Sequence, residues 1–198
     1  MDEDERPEFE NTLQPGELYR LSWGFYLLVA VGGLIWLGLA GEPGFDGRLV
    51  NQLWWQDVLI GAAAGVGLAG AWQILRSFVT PMRRLEEVFG QMIGPLDASE
   101  VFALAVMSGI AEEIFFRGAM QFSWGPLWAT LAFALMHTGP GRVFLAWTLF
   151  AAVAGALFAA LTWWRGTVVA AATAHLAVNW INLSRLISRV HPAEEPAA

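Results

Sequence analysis

The stretch VFALAVMSGIAEEIFFRGAMQ, residues 101–121, decides how the rest of the chain is read. It is long enough to cross a bilayer, since a helix needs about 20 apolar residues to do so. Yet it places Glu112, Glu113 and Arg117 inside that run. An ionised group near the centre of a membrane costs at least about 2.5 kcal/mol, so such residues are functional candidates by default.

Working outward, the composition agrees with a membrane protein. Hydrophobic residues make up 56% of the 198, charged residues 15%, and mean hydropathy is +0.48. Eleven Trp and 21 Gly fit interfacial aromatic belts and closely packed helices. There is no cysteine, which rules out disulfides and thiolate metal sites. The net charge of −7 is largely a local matter, because seven of the 18 acids lie between Asp2 and Glu17. That is an acidic tail, with no basic surface for nucleic acid.

The expected fold is all-α: a polytopic membrane helix bundle of about six transmembrane helices plus one interfacial amphipathic helix. Residues 1–20 form an acidic tail too polar to order itself, and its acidic start lacks the basic region of a secretory signal. Residues 21–98 hold two transmembrane helices, 21–40 and 57–79, and the amphipathic helix. The loop 41–56 between them carries Trp54 and Trp55 at headgroup level. The second span contains Gly61-x-x-x-Gly65, a pattern for close backbone approach.

Residues 81–94 place Met82, Leu85, Val88, Phe89, Met92 and Ile93 at helical spacing, with Arg83, Arg84, Glu86 and Glu87 opposite. This predicts a helix lying on the membrane with Glu86 and Glu87 in water. Residues 99–188 form a second helix core, which carries the polar motifs, with spans at 99–121, 124–138, 142–164 and 167–187. Residues 189–198 are a tail.

With six spans and an inner N-terminus, Arg6, Arg20, Arg76, Arg83, Arg84, Arg142, Arg185 and Arg189 fall on one side, against Arg48 and Arg165 on the other. The positive-inside rule then predicts both termini in the cytoplasm of a cell-membrane protein.

Three polar groups recur in the second half: Glu112, Glu113 and Arg117; His137; His175 and Asn179. At 1.5 Å per residue, Glu112, His137 and His175 reach about 10, 18 and 13 Å from the outer ends of their spans. They can therefore meet. Glu113 and Arg117 are i, i+4 neighbours and can pair, which relieves an isolated buried charge. Glu112 projects about 100° away, on the face of Ala105, Ser108 and Gly109, and is free to act as a general base. Phe133 is one turn from His137 and can hold its ring. His175 and Asn179 share a helix face and can offer two donors to one oxygen. Ser108, Ser123, Asn182 and His191 read as ordinary polar residues.

Glu112-Glu113-x-x-x-Arg117, Phe133-x-x-x-His137 and His175-x-x-x-Asn179, in that order on successive apolar helices, resemble the three-motif signature of the CAAX prenyl endopeptidase and abortive-infection family of intramembrane proteases. The resemblance covers residues 99–186. It implies an endopeptidase acting on a prenylated or membrane-anchored peptide or protein, in contact with membrane lipid. In it Glu112 activates water with help from His137, while His175 and Asn179 stabilise the oxyanion. Glu112, His137 and His175 are also the candidate ligands for zinc or another divalent metal, although the same three groups suit a metal-free mechanism. Two other functions fit the same polar cluster. One is a non-enzymatic membrane protein for peptide-toxin immunity or regulation of a membrane partner; the other is a proton or ion carrier, which the missing internal symmetry disfavours.

Overall fold

The computed structural model describes residues 17–40 and 49–192, and among them every regular element is helical. Seven helices follow in order: α1 (Glu17–Leu39), α2 (Trp54–Phe78), α3 (Thr80–Ile93), α4, α5 (Pro126–Met136), α6 (Leu145–Arg165) and α7 (Val169–Val190). Helix α4 starts as a regular helix (Ala98–Glu113), widens into a π-helical segment (Ile114–Met120) and closes with a short α-helical end (Gln121–Trp124). A 3-10 turn (Arg142–Phe144) leads into α6.

The sequence reading of an all-α membrane bundle agrees with this architecture. Three helical stretches, 19–39, 54–78 and 142–165, are long and apolar enough on their own to cross a membrane. The six expected spans thus divide into two kinds. Helix α5 has 11 residues, about half the length that crosses a 30 Å core. Helices α4 and α7 carry all the polar side chains of the motifs except His137, which caps α5. Large apolar side chains on α1 and α2 face outward instead, Leu39 being 82% and Phe78 80% exposed, as a lipid-facing surface requires.

Helix α7 is the centre of the bundle, packed against α2, α4 and α6. Its contact with α2 is very close because Gly61 and Gly65 present no side chain: a Cβ on Gly65 would lie 2.5 Å from the Ala174 carbonyl oxygen, and one on Gly61 would strike that of Ala170. Gly109 plays the same role between α4 and α7, with Leu176 N 2.8 Å from where a Cβ would stand. Small residues let the backbones approach where lipid supplies no hydrophobic drive between helices. At one end of the bundle Asp57, fully buried, accepts from Arg165 and from the Thr167 hydroxyl at 2.9 Å. That clasp ties α2 to the α6–α7 turn, where Gly166 adopts φ 73°.

Several element ends differ from expectation. Helix α1 begins at Glu17, inside the expected tail, and α7 runs through Val190 into the other one. His191 Nε2 lies 3.1 Å from the Gly90 carbonyl. The expectations for residues 1–16, 41–48 and 193–198 lie outside the described residues. Trp54 and Trp55 belong to the first turn of α2.

Glu86 departs most from the sequence reading. It is 8% exposed and accepts from Trp72 Nε1 at 2.9 Å, Arg76 Nε at 2.7 Å and Arg189 Nη1 at 3.1 Å. Glu87, beside it, is exposed as expected. The polar face of α3 is not wholly turned to water, because the ends of α2 and α7 bring two guanidinium groups and an indole onto Glu86. A buried carboxylate so surrounded is compensated.

Candidate active site

The N-terminus of α4 is fixed by a capping box, in which Asp97 accepts from Ser99 N at 2.7 Å and Glu100 N at 2.9 Å, while Glu100 accepts from Asp97 N at 3.0 Å. From there the regular helix delivers Glu112 and Glu113 at its last turn. The π segment follows at once, with Gln121 N bonding back five residues to Phe116 O. π-bulges concentrate at functional sites. Here the wide turn is enclosed by α1, α5 and α6, and Phe116 through Met120 are all buried.

Within this frame the two carboxylates do separate things. Glu113, fully buried, accepts from Arg117 Nε at 3.1 Å through one oxygen and from His175 Nδ1 at 3.0 Å through the other. The Arg117 guanidinium lies over the Phe133 ring, 5.0 Å from its centroid. The His175 ring stacks on Phe158 at 5.0 Å and meets Phe133 edge-on at 5.7 Å. A buried ion pair that loses one partner costs about 3–5 kcal/mol, so this unit holds α4 to α7 firmly. The expected Glu113–Arg117 pair is present. His175 joins it instead of lining the cavity described next.

Glu112 faces the other way, onto a cavity of about 520 Å³ whose wall includes Tyr26, Ser108, His137 and Asn179. Its Oε2 is buried and has no hydrogen-bond partner among the described residues. His137 Nε2 stands 3.7 Å from that oxygen, beyond hydrogen-bond range.

The orientation of His137 is fixed twice by Phe133. His137 Nδ1 is 2.7 Å from the Phe133 carbonyl, which can only accept, so Nδ1 carries the hydrogen. The two rings also pack at 4.3 Å. Nε2 of the neutral ring is then an acceptor pointing at Glu112. Two acceptors facing one another leave a place for a donor such as water.

Asn179 Nδ2 donates to Ser108 Oγ at 2.8 Å. The Tyr26 side chain lines the same cavity beside Ser108 and Glu112. Sequence reasoning missed Tyr26, because a tyrosine in the first span reads as an interfacial aromatic, and it took Ser108 for an ordinary polar residue. For Ser108 a signal existed: it lies on the Glu112 face of α4.

Away from Glu112 the cavity is mostly apolar and runs along α3, where Leu85, Phe89, Met92 and Ile93 line it beside Glu86, together with Phe144 and Trp147. The amphipathic helix is therefore one wall of the site.

This geometry coincides with a known family. The model described as type II CAAX prenyl endopeptidase Rce1-like matches residues 95–181. That segment is similar to the Rce1-like family. It takes in α4, α5, α6 and the stretch of α7 bearing His175 and Asn179, and so the polar residues of all three motifs. Helices α1 to α3 lie outside it, although Tyr26 and α3 complete the cavity of the Rce1-like segment. No curated protein and no solved structure matches the chain. The apolar helices are those of a membrane protein, and residues 95–181 of it resemble a CAAX prenyl endopeptidase.

The described residues include no group of three His, Cys, Asp or Glu arranged to hold a metal ion. Glu112 and His137 face each other, whereas Nδ1 of His175 is bonded to Glu113.

Proposed function

We propose that the chain is an intramembrane endopeptidase that hydrolyses a peptide bond in a prenylated or otherwise membrane-anchored peptide or protein. The observation that carries this reading is the buried, unpartnered Glu112 Oε2 opposite the His137 Nε2 acceptor at 3.7 Å, on the wall of a cavity.

A water bridging these two groups can give a proton to the Glu112 carboxylate while its oxygen attacks the scissile carbonyl. His137 accepts the water's second hydrogen as a hydrogen bond and orients the lone pair. The carbonyl oxygen becomes an oxyanion, for which the Asn179 amide is the donor on the cavity wall, with the Ser108 and Tyr26 hydroxyls beside it. One such donor contributes about 2.7–4 kcal/mol to lowering a barrier. Collapse of the tetrahedral intermediate breaks the C–N bond, and protonated Glu112 returns the proton to the leaving amine. Glu113 fixes the His175 ring through Nδ1, one turn from Asn179.

The apolar length of the cavity along α3 suits a substrate that arrives with a lipid or apolar segment. Combined with the arginine bias, a mouth beside α3 corresponds to access from the cytoplasmic side of the cell membrane. The test is cleavage of a farnesylated, fluorogenic CAAX-ended peptide by the protein in proteoliposomes. His137→Gln should abolish it while the melting temperature stays near that of the wild type. Full cleavage by a folded His137→Gln protein removes His137 from the mechanism.

A further inference from the structure

The wall that α7 gives to the cavity carries a second amide beyond Asn179. Asn182 stands about one turn further along the helix, lines the same cavity as Glu112 and His137, and is half-buried. The sequence reading passed over it as an ordinary polar residue, and the mechanism above does not use it.

Hydrogen bonds that start outside the cavity fix which way this amide points. An arginine side chain has donors only, so Arg189 Nη2, at 2.5 Å from the Gln73 side chain, selects its Oε1. Glu86 anchors the same guanidinium, accepting from Nη1 at 3.1 Å. The amide nitrogen of Gln73 is left to donate, and it meets Asn182 Oδ1 at 2.8 Å. Asn182 is thus held by its oxygen, which leaves the Nδ2 hydrogens for a group in the cavity.

The position and the surroundings select that group. Asn179 is bonded to Ser108, one turn from Glu112 on α4, whereas Leu183 packs with Leu104 and Val101 toward the start of α4. Asn182 therefore lies between the Glu112 end of the cavity and its apolar end. Among the described residues on the cavity wall none is Arg, while Glu112 and Glu86 both are there. A neutral acceptor suits the amide better than a carboxylate or a phosphate. Side chains three residues apart on a helix have Cβ atoms about 5–6 Å apart. Carbonyls on one edge of an extended peptide repeat every second residue, about 6.5–7 Å. Two amides so spaced match two such carbonyls.

Building on the proteolytic reading, we infer that Asn182 is a substrate-binding residue whose amide donates to the main-chain carbonyl two residues from the scissile one. Asn179 and Asn182 then hold an extended peptide at two points along α7. The contact reads the backbone, so it sets the register of the substrate in the cavity and is indifferent to its side chains.

The test is the dissociation constant of a fluorescent, farnesylated CAAX-ended peptide for the Glu112→Gln protein in detergent micelles, where binding is read without cleavage. Adding Asn182→Leu should raise Kd about 2- to 10-fold, the loss of one net hydrogen bond. Two further peptides carry an alkene in place of the carbonyl two residues before or two residues after the scissile bond. One of them should bind more weakly by the same factor when Asn182 is present and show no further loss with Asn182→Leu, because the two changes remove partners of one bond. Asn182→Ala carries the same expectation where the leucine variant does not fold. A role confined to tying α7 to Gln73 would give the same loss on all three peptides. That result, or a Kd unchanged by Asn182→Leu, would overturn the proposal. Absence of cleavage by the wild-type protein would count against the proteolytic reading alone, since the Kd comparison decides on Asn182 either way.

Discussion

Glu112 Oε2 and His137 Nε2 face each other across 3.7 Å, the first from the last regular turn of α4 before its π segment, the second from the C-terminal cap of a helix only 11 residues long. Neither group satisfies the other when both are acceptors. Their positions are imposed from outside the pair: Glu112 by the start of the π segment, His137 by the carbonyl and the ring of Phe133. The site is thus preorganised around a small donor.

Tyr26 on α1 lines the cavity with Glu112, where its hydroxyl can donate to the carboxylate. A hydrogen bond to a charged group contributes about 1.5–3 kcal/mol, and each 1.36 kcal/mol is tenfold in rate. Tyr26→Phe should therefore lower kcat by about 10- to 100-fold with little change in KM, measured on the farnesylated peptide. A rise in KM at constant kcat would assign Tyr26 to substrate binding instead.

The α2–α7 contact predicts opposite outcomes for two nearby glycines. A Cβ on Gly65 would lie 2.5 Å from Ala174 O and 2.7 Å from Ala177 Cβ, whereas one on Gly67 would meet nothing within 4 Å. Gly65→Ala should destabilise by about 1–3 kcal/mol through overpacking. Gly67→Ala should be neutral or slightly stabilising, since Gly costs about 0.5–1 kcal/mol relative to Ala inside a helix. Thermal melts of the two variants should move in different directions, and equal melts would contradict the close approach.

The α4 cap gives a pH dependence of stability. The Ser99 hydroxyl first, and then the Glu100 backbone N–H, hold the Asp97 carboxyl below the usual carboxylate range. A depressed folded value means that the stabilisation is present above the unfolded pKa of about 3.9 and is lost as pH falls through the folded value. Asp97→Asn keeps the capping acceptor but not the charge. Its deficit in melting temperature at neutral pH should shrink below about pH 4, and a deficit constant across that range would rule out the charge as its source.

Much of this was readable from the sequence, for physical reasons that also explain the failures. The helices follow from apolar runs broken at glycine and proline, and Gly61-x-x-x-Gly65 announced a close helix contact without naming α7 as its partner. The Glu113–Arg117 pairing followed from helical spacing. What depended on the third dimension was not accessible. The polar face of α3 gave no sign that Arg76 and Arg189, from helices distant in sequence, would enclose Glu86. Likewise, no pattern in Ile114 to Met120 separates a π segment from an α-helix, and nothing local to Tyr26 says that α1 packs on α4 with that side chain beside Glu112. His175 was placed on the correct helix, but its partner is Glu113 rather than the cavity.

The central claim, that Glu112 is the base of a hydrolytic site, is tested most directly by Glu112→Gln in proteoliposomes with the farnesylated CAAX-ended peptide. The glutamine keeps the shape and hydrogen bonding of the side chain but cannot take a proton from water. The expected result is a loss of kcat/KM of about 10²- to 10⁴-fold, the usual contribution of a general base, with the melting temperature unchanged. Cleavage within a few-fold of the wild type would contradict the claim and favour a recognition role for the same polar cluster.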